Sequence, residues 1–375
     1  MFGGILILIC SLIHIYVFWR ISALPFVKGH IDLKYLLPAG LILWAILFSG
    51  LFFGHDRTRI LASTLELLAM TWMAVLFLVF ISILAADILT GFGLFFRRSA
   101  NSVRGYALII GILLSLTAFI QGYRPPVIDS YQVHISGLPK ELDGTVMVAL
   151  SDLHIGSQLG DQWLASRVAQ VNELKPDIIV LLGDIVEGHS NDKNDVFAET
   201  LSRLSAPLGV WAVLGNHENF TRGDNNNDSI FNKSGIPVLR GTWKELKPGL
   251  ILAGIDSIRR PMNGRDVAQD LITPALAGRP DGAVILLSHF PVGAEEASKA
   301  GVDLMLSGHT HGGQIWPFNY IVQASYPLLA GEYNINGMSV IVSRGAGTWG
   351  PRMRLWKPGE ILKITLRIKD HQSDQ

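Results

Sequence analysis

Two histidines separated by one residue, His309 and His311, lie in a glycine-rich stretch that follows an apolar run from Val302 to Leu306. This pattern predicts a strand that ends in a tight loop and presents two imidazole side chains. Such a pair suits metal ligation. By itself, however, a His-x-His pair is more often an ordinary polar turn, so the rest of the chain has to decide between the two interpretations.

Four other short apolar runs also end in side chains that commonly bind metals. Each run is rich in Val, Ile, Leu or Ala, which predicts a short strand. In open α/β sheets, ligands collect beyond the carboxyl ends of the strands, so these ends predict one shared site. Each motif alone is typical of a turn, a helix cap or a buried histidine, but five in succession make coincidence implausible. The residues at these four ends are Asp152 and His154, then Asp184, then Asn216, His217 and Glu218, and then His289.

The candidate ligands are aspartate, asparagine and histidine side chains, with no cysteine among them. This composition argues against a closed structural zinc site. Mixed oxygen and imidazole ligands suit Mn, Fe or Zn, and there are enough of them for two ions that share one aspartate. Asp152 and His154 can act together because residues i and i+2 of an extended chain share a face.

The composition separates the chain into two unlike parts. Of the 375 residues, 49% are hydrophobic, and the mean hydropathy of +0.35 exceeds that of most soluble globular proteins. The net charge of zero arises because a basic, apolar front balances a mildly acidic back half. The back half contains no basic run or basic-aromatic pattern, so no nucleic-acid partner is expected. Cys10 is the single cysteine, which excludes a disulfide within the chain and a thiolate metal site.

The front part contains four segments that lack Asp, Glu, Lys and Arg. Each segment is long enough, or nearly so, for an α-helix to cross a hydrocarbon core of about 30 Å. Four such segments in succession, with charges only between them, predict transmembrane helices rather than buried helices of a soluble domain. The first is not expected to be a cleaved signal peptide, because nothing basic precedes it and three more spans follow. The predicted spans are Phe2 to Trp19, Tyr35 to Gly54, Leu67 to Ala86 and Gly105 to Tyr123.

Pro125 and Pro126 end the fourth span and mark the start of the soluble part. We predict a transmembrane region at 1–124, a linker with a first strand at 125–139 and a soluble domain at 140–370. In that domain, short strands that are apolar on both faces alternate with helices, as in sheets covered by helices. After the histidine pair the chain is predicted to be all-β. The fold class is therefore α/β with two sheets, and the predicted helices are Gln162 to Leu174, Val196 to Leu204 and Glu295 to Ala300.

Taken together, these motifs resemble the calcineurin-like metallophosphoesterase superfamily over roughly residues 140 to 368. The family pattern D-x-H, G-D, G-N-H-[DE], H and G-H-x-H is met in order and without a gap. The resemblance implies a four-layer αββα sandwich of two mixed sheets. It also implies two bound divalent ions, with Asp184 bridging them and His217 as the catalytic histidine. One ion would be held by Asp152, His154 and His311, and the other by Asn216, His289 and His309.

The stretch Gly308 to Gln314 is similar to a branch that contains membrane-associated bacterial phosphodiesterases and pyrophosphatases of lipid-linked nucleotides. The four preceding helices resemble transmembrane proteins that carry a metallophosphoesterase domain. The first hypothesis is therefore a membrane-anchored, metal-dependent hydrolase of phosphodiester or pyrophosphate bonds in a lipid-linked substrate. In this hypothesis Arg344 and Arg352 are candidates to contact phosphate, and Glu218 is a candidate to orient His217.

Three alternatives stay open from the sequence. One is a phosphomonoesterase, including a protein phosphatase. Another is a non-enzymatic scaffold, which loss of the bridging aspartate or the catalytic histidine would favour, although Asp184 and His217 are both present. The third is a transporter with a regulatory phosphoesterase domain, which is disfavoured because the spans lack a paired charge or a helix broken by glycine or proline.

The distribution of basic residues predicts the topology. Loops one and three, residues 20–34 and 87–104, carry more Lys and Arg than the N-terminus, the loop at 55–59 and the residues after the fourth span. The positive-inside rule places loops one and three in the cytoplasm, so the catalytic domain would lie outside the plasma or inner membrane. The aromatic residues Trp316, Phe318 and Tyr320 are predicted either to form an apolar rim beside the site or to pack beneath the loop.

Overall fold

The computed structural model describes residues 2–53, 60–156, 158–187, 194–219, 229–256 and 267–369. The chain forms two compact units. The first comprises Met1–Arg124 and Gly350–Trp356, and the second comprises Pro125–Trp349 and Lys357–Gln375. The loop at 55–59, which enters the topology prediction, lies outside the described residues.

The described part of the first unit is helical up to Gly122. Four of its helices are long and apolar enough to cross a membrane, and each contains one of the predicted spans or nearly all of it. Large apolar side chains such as Leu8, Ile15 and Leu41 are exposed on their surfaces, as expected of helices that face lipid. The prediction of four spans is therefore confirmed. The helices are α1 (Phe2–Ser22), α2 (Pro25–His30), α3 (Leu33–Phe53), α4 (Ile60–Leu89) and α5 (Ala100–Gly122).

A buried ion-pair cluster joins three of these helices. Asp87 of α4 is fully buried, and its two oxygens lie 2.7 Å from Nε of Arg20 on α1 and 2.6 Å from Nε of Arg104 on α5. The hydroxyl of Tyr16 also donates to Asp87. Each of these charged residues lies one position outside a predicted span, so the statement that the spans themselves lack a paired charge is not contradicted. The linear sequence could not reveal these pairs, because they form between the ends of three separate helices.

The segment Gly350–Trp356 packs within the first unit against the last turn of α5. The backbone N–H of Arg354 donates to the carbonyl of Ala118 at 2.9 Å, and that of Trp356 donates to Oε1 of Gln121 at 2.9 Å. A Cβ at Gly122 would overlap the carbonyl oxygen of Arg352, so only glycine permits this approach. Residues 350–356, which the sequence analysis assigned to the domain at 140–370, thus lie with the helices of the first unit.

The described part of the second unit contains two mixed sheets. The strands are β1 (Val127–Ile135), β2 (Val146–Leu150), β3 (Ile178–Leu181), β4 (Val210–Ala212), β5 (Thr242–Lys247), β6 (Leu250–Ile255), β7 (Ala283–Ser288), β8 (Leu304–Ser307), β9 (Gly331–Ile335), β10 (Met338–Val342) and β11 (Glu360–Ile368). The five-stranded sheet has the order β1-β11-β2-β3-β4, and the six-stranded sheet has the order β5-β6-β7-β8-β10-β9. Strand β11 runs antiparallel to β2, and β5 and β9 run antiparallel to their neighbours.

Alternating side chains of the central strands build three layers of core. Met147 of β2 and Val180 of β3 point between the sheets and pack with residues such as Leu252 of β6. Their neighbours Val148 and Ile179 point to the outer face, where the helices cover them. Because successive side chains of a strand alternate between faces, strands that are apolar on both faces must be covered on both. The four-layer αββα sandwich is therefore confirmed.

The described helices of the second unit include four that were not predicted from the sequence, at residues 216–219, 229–234, 267–275 and 318–325. The chain after the histidine pair was expected to be all-β, but residues 318–325 form a helix. That expectation is wrong because the helix is short and its apolar spacing does not distinguish it from a strand. The described helices are α6 (Asp161–Glu173), α7 (Asn194–Leu201), α8 (Asn216–Asn219), α9 (Ser229–Ser234), α10 (Val267–Ala275), α11 (Ala294–Lys299) and α12 (Phe318–Ser325).

Candidate metal centre

The predicted ligands lie beyond the carboxyl ends of five strands, in the loops that follow them or, for Asn216, at the start of α8. Asp152 and His154 follow β2, Asp184 follows β3, Asn216 follows β4, His289 follows β7, and His309 and His311 follow β8. Backbone hydrogen bonds tie these loops together. The N–H of Asp152 donates to the carbonyl of Gly183 at 3.0 Å, that of His154 to Asp184 at 3.0 Å, and that of Gly308 to His289 at 3.0 Å. The structure therefore brings the predicted residues of both sheets to one edge.

The loop backbone is strained at five of the ligands. Non-glycine residues seldom adopt a positive φ, and such strain concentrates at functional sites. The surrounding hydrogen bonds must hold these residues in place, which fixes the direction of each side chain. The five residues and their φ angles are Asp152 (52°), His154 (46°), Asp184 (51°), His309 (72°) and His311 (51°).

Two glycines allow the ligand loops to approach each other. A Cβ at Gly308 would overlap the hydroxyl of Ser151, which donates a short hydrogen bond to Asp152. A Cβ at Gly215 would overlap a carboxylate oxygen of Asp184. Any side chain at either glycine would therefore displace a buried aspartate of the site.

The first ligand group consists of Asp152, His154 and His311, whose ligand atoms all lie within 4.8 Å of one another. Nε2 of His311 is 3.1 Å from Nε2 of His154 and 3.4 Å from Oδ1 of Asp152. Nδ1 of His154 bonds to the carboxylate of Glu187, which only accepts, so Nε2 of His154 presents a lone pair. Two ring nitrogens and a buried carboxylate converge here, and this set of ligand atoms could hold a divalent metal ion.

The second ligand group consists of Asp184, His289 and His309, again within 4.8 Å. Nδ1 of His289 donates to the carbonyl of Leu182 at 2.8 Å, so its Nε2 is an acceptor when the ring is neutral. That atom lies 3.1 Å from Oδ2 of Asp184 and 3.2 Å from Oδ1 of Asn216. Three acceptors converge on one point, which also fits a divalent ion.

Asp184 lies between the two groups. Its Oδ2 is 3.1 Å from Nε2 of His289 and 4.0 Å from Nε2 of both His154 and His217. Burial opposes its ionisation, but when the His289 ring is protonated rather than neutral, its charge and its hydrogen bond hold the pKa of Asp184 well below its ordinary value. The position suits a carboxylate shared by two ions.

Glu187 joins two histidines of the site and was missed by the sequence analysis. One of its oxygens bonds to Nδ1 of His154, and the other lies 3.3 Å from Nδ1 of His217. Burial lowers the pKa of His217, but the hydrogen bond to Glu187 and the charge of Asp184 outweigh it and raise that pKa to about 9. An acidic residue three positions after Asp184 was the available signal, but its spacing does not reveal two histidine partners from other loops.

Glu218, which was predicted to orient His217, is buried and binds the backbone of the Asp184 loop. Its carboxylate accepts the N–H groups of Asp184 at 2.9 Å, Ile185 at 2.6 Å and Gly215 at 2.7 Å. Glu218 is therefore not a surface carboxylate. Glu218 ties the loop of the shared aspartate to the loop that carries Asn216 and His217.

The two arginines that were predicted to contact phosphate lie in different units. The guanidinium of Arg344 is 2.6 Å from Oδ2 of Asp129 and 2.7 Å from Oε2 of Glu360. The guanidinium of Arg352 lies in the first unit, 4.1 Å from the centre of the Tyr123 ring. A role of either arginine in phosphate binding remains a prediction.

The fold and these ligand groups define a metallophosphoesterase, and comparison with known sequences agrees. The sequence model of the family described as calcineurin-like phosphoesterase matches residues 146–313. A metallophosphoesterase of Aquifex aeolicus is 36% identical over 265 residues, which cover 70% of this chain and 99% of the relative. The chain therefore belongs to the calcineurin-like phosphoesterase family.

Two further relatives extend the comparison. The Danio rerio "transmembrane protein with metallophosphoesterase domain" is 32% identical over 276 residues, which cover 70% of this chain and 62% of that protein. This chain thus matches less than two thirds of that relative's length. A metallophosphoesterase of Campylobacter jejuni is 28% identical over 384 residues and covers 98% of each chain, so that similarity includes the apolar helices.

Proposed function

We propose that the protein is a hydrolase of phosphoric esters that uses two divalent metal ions. The observation that carries the proposal is the pair of ligand groups, each within 4.8 Å, with the carboxylate of Asp184 between them. Asp152, His154 and His311 would hold one ion, and Asn216, His289 and His309 the other, with Asp184 shared. Mn, Fe and Zn suit these ligands. Two such ions supply Lewis-acid activation of water and of the phosphoryl group.

His217 would act as the general acid. Glu187 faces its Nδ1 at 3.3 Å, and Nε2 lies 4.0 Å from Asp184, so the ring edge with Nε2 faces the two ligand groups. In hydrolysis, a water oxygen bonds to phosphorus and the bond between phosphorus and the leaving oxygen breaks. Nε2 of His217 donates its proton to that leaving oxygen, and Glu187 stabilises the ring while it carries the proton.

The bond hydrolysed would be a phosphodiester or a pyrophosphate in a lipid-linked substrate. The four apolar helices support this proposal, since the second unit begins at Pro125, directly after the fourth helix. Trp316, Phe318 and Tyr320 also support it, because their side chains are 38%, 38% and 61% exposed and follow the His311 loop closely in the chain. Exposed aromatic rings beside a polar site suit a substrate with a hydrocarbon portion.

A substrate panel tests this function. The full chain in detergent, supplied with Mn, Fe or Zn, would be assayed on a phosphodiester, a phosphomonoester and a lipid pyrophosphate. We expect hydrolysis of the diester or the pyrophosphate to exceed that of the monoester, and chelation to abolish it. Preferred hydrolysis of the monoester would support a phosphomonoesterase instead. Metal binding without hydrolysis of any substrate would support a scaffold.

The aromatic rim can be tested separately. A double change of Trp316→Ala and Phe318→Ala should lower activity on the lipid pyrophosphate and leave activity on a short water-soluble diester unchanged. Leu61→Ala, which also removes an exposed apolar side chain but lies in α4, is a matched control. Unchanged activity on the lipid substrate would argue against the rim.

A further inference from the structure

Tyr326 directly follows α12, and its hydroxyl lies 3.1 Å from Nε2 of His309. We propose that Tyr326 is a positioning residue that fixes His309 as a metal ligand through its Nδ1 atom and thereby sets the metal affinity of the second ligand group. The proposal rests on the dinuclear centre proposed above. It assigns a function to a residue that the family motifs do not contain.

The chain between His309 and Tyr326 folds back so that Tyr326 contacts the His309 side chain. It begins at His309, turns tightly at His311–Gly313 and continues into α12. The backbone N–H of Tyr326 donates to the carbonyl of Val322 at 2.8 Å, which holds Tyr326 at the end of that helix. The backbone of Tyr326 is therefore held in place by α12, and its side chain extends from there to the His309 imidazole.

Aromatic packing fixes the plane of the His309 ring. Its centroid is 4.0 Å from that of Phe290, at an interplanar angle of 42°. On another side the ring of Tyr326 meets it edge-on, at 4.9 Å and 74°. The His289 ring lies 5.2 Å away. Rotation of the imidazole out of this arrangement would lose these contacts, so the hydroxyl of Tyr326 has a defined ring edge to bind.

The hydroxyl then determines which ring nitrogen can bind metal. A neutral imidazole carries one N–H and one lone pair. When Nε2 of His309 donates to the oxygen of Tyr326, Nδ1 presents its lone pair on the opposite side of the ring. The reverse arrangement, in which Tyr326 donates to Nε2, leaves the proton on Nδ1 and excludes metal there. A bound cation therefore selects the first arrangement, and the acceptor oxygen of Tyr326 stabilises it.

Two of the other histidine ligands, His154 and His289, show the same principle with a carboxylate and a backbone carbonyl as acceptors. Nδ1 of His154 bonds to the carboxylate of Glu187, and Nδ1 of His289 donates to the carbonyl of Leu182. A neutral phenol polarises an imidazole less than a carboxylate does. The ligand group that contains His309 is therefore expected to bind its ion more weakly than the group that contains His154.

The test is a titration of the metal-free full chain in detergent with Mn²⁺. Binding is monitored by calorimetry and by the electron paramagnetic resonance signal of coupled ions. Tyr326→Phe removes the hydroxyl and keeps the ring. We expect the weaker of the two Mn²⁺ affinities to fall by about 10- to 100-fold while the stronger one stays at the wild-type value. Ser325→Ala, which deletes an exposed hydroxyl one residue earlier, should behave as the wild type.

A double-mutant cycle separates positioning from a general loss of structure. In the His309→Ala background, Tyr326→Phe should cause no further loss of Mn²⁺ affinity, because the ligand through which the hydroxyl acts is already gone. Wild-type affinities in Tyr326→Phe, or an equal additional loss in the His309→Ala background, would overturn the proposal. If the wild type itself binds no Mn²⁺, the proposed dinuclear centre is refuted. That result can be distinguished from the two results that would overturn only the role of Tyr326.

Discussion

Three carboxylates of the site have different roles because their partners differ. Asp184 lies among three imidazoles, Glu187 bonds to the outer nitrogens of two of them, and Glu218 accepts backbone N–H groups. Removal of one negative charge should therefore affect metal binding, proton transfer or loop position, depending on the residue. Substitutions at Asp184, His217 and Glu187 would separate the first two effects.

Asp184→Asn keeps the size of the side chain but removes the charge shared by the two ligand groups. Activity on a model diester should fall by at least about 100-fold, as expected on loss of a positioned electrostatic group. Elemental analysis should show that two metals per chain are no longer retained. Asp161→Asn, at an exposed position in α6, is the matched control. A wild-type protein that holds no metal and is indifferent to chelators would contradict the two-metal centre.

His217→Ala should retain both metals, because His217 belongs to neither proposed ion's ligand set. The rate should fall more for substrates with poor leaving groups than for nitrophenyl esters, whose departure needs little protonation. Steady-state rates on a series of esters with graded leaving groups would measure this dependence. An equal loss on all of them would remove His217 from the role of general acid.

Glu187→Gln should combine two defects, because the carboxylate serves Nδ1 of both His154 and His217. Metal affinity in the group that contains His154 should fall by about 10- to 100-fold, since an outer partner that orients a ligand is weakened. The leaving-group dependence should also resemble that of His217→Ala. Metal titration and the ester series measure the two effects independently. Wild-type metal affinity in this variant would restrict Glu187 to His217 alone.

Some elements of the fold can be predicted from the sequence, and others cannot. The ligand-bearing loops could be predicted because each directly follows an apolar central strand, and the chain direction alone places them at one edge. Strands β5 and β9 were not predicted, since as edge strands they lack a continuous apolar run. Glu187 and Tyr326 were missed for another reason. Their partners are 33 and 17 residues away in sequence, so only the folded loops bring them together.

The junction of β1 and β11 contains a titratable group that should influence stability. Glu360 at the start of β11 is fully buried, and its Oε1 accepts the backbone N–H of Arg344 at 2.6 Å. Burial and a hydrogen bond with Asp129 raise the pKa of Glu360 from 4.5 to about 7. The charged or titratable groups that face this pair are Arg344, Tyr131 and Lys357. Glu360 therefore binds its proton more tightly in the folded state.

The sign of the pH dependence follows from that raised pKa. The stabilisation that the protonated Glu360 contributes is complete below pH 4.5 and is lost as the pH rises through about 7. Its size is on the order of 3 kcal/mol for a shift of this extent. Asp129 has a lowered pKa, so its own contribution is lost only below 3.8 and does not change in this window.

Glu360→Gln should remove this pH dependence, because glutamine stays neutral. Melting temperatures of the wild type and the variant, measured from pH 4.5 to 8 in the same detergent, should diverge as the pH rises, with the variant relatively more stable at pH 8. Glu295→Gln, in the first turn of α11, is a control in which no such divergence is expected. Parallel curves for Glu360→Gln and the wild type would contradict the assignment.

The helix ends around Asp87 help to predict the membrane topology. Arg20 lies at the end of α1, Asp87 at the end of α4 and Arg104 at the start of α5, and the three are joined by ion pairs. These ends therefore lie on one side of the first unit. Loops one and three, which the sequence predicts to be cytoplasmic, begin or end at these positions.

Four of the six basic residues in loops one and three are exposed, namely Lys28, Lys34, Arg97 and Arg98. On the other side Arg124 is exposed, and Arg57 and Arg59 lie outside the described residues. The positive-inside rule counts such residues near the ends of spans, so the side with Asp87 is predicted to be cytoplasmic. An even number of spans then places the N-terminus and the second unit outside.

A reporter fused after the C-terminus would test this topology. A C-terminal reporter enzyme that folds only outside the cytoplasm should show activity. A C-terminal reporter that is active only in the cytoplasm should show none. Reporters placed between residues 97 and 98 should give the opposite result, which controls for expression. Cytoplasmic activity of the C-terminal reporter would reverse the topology.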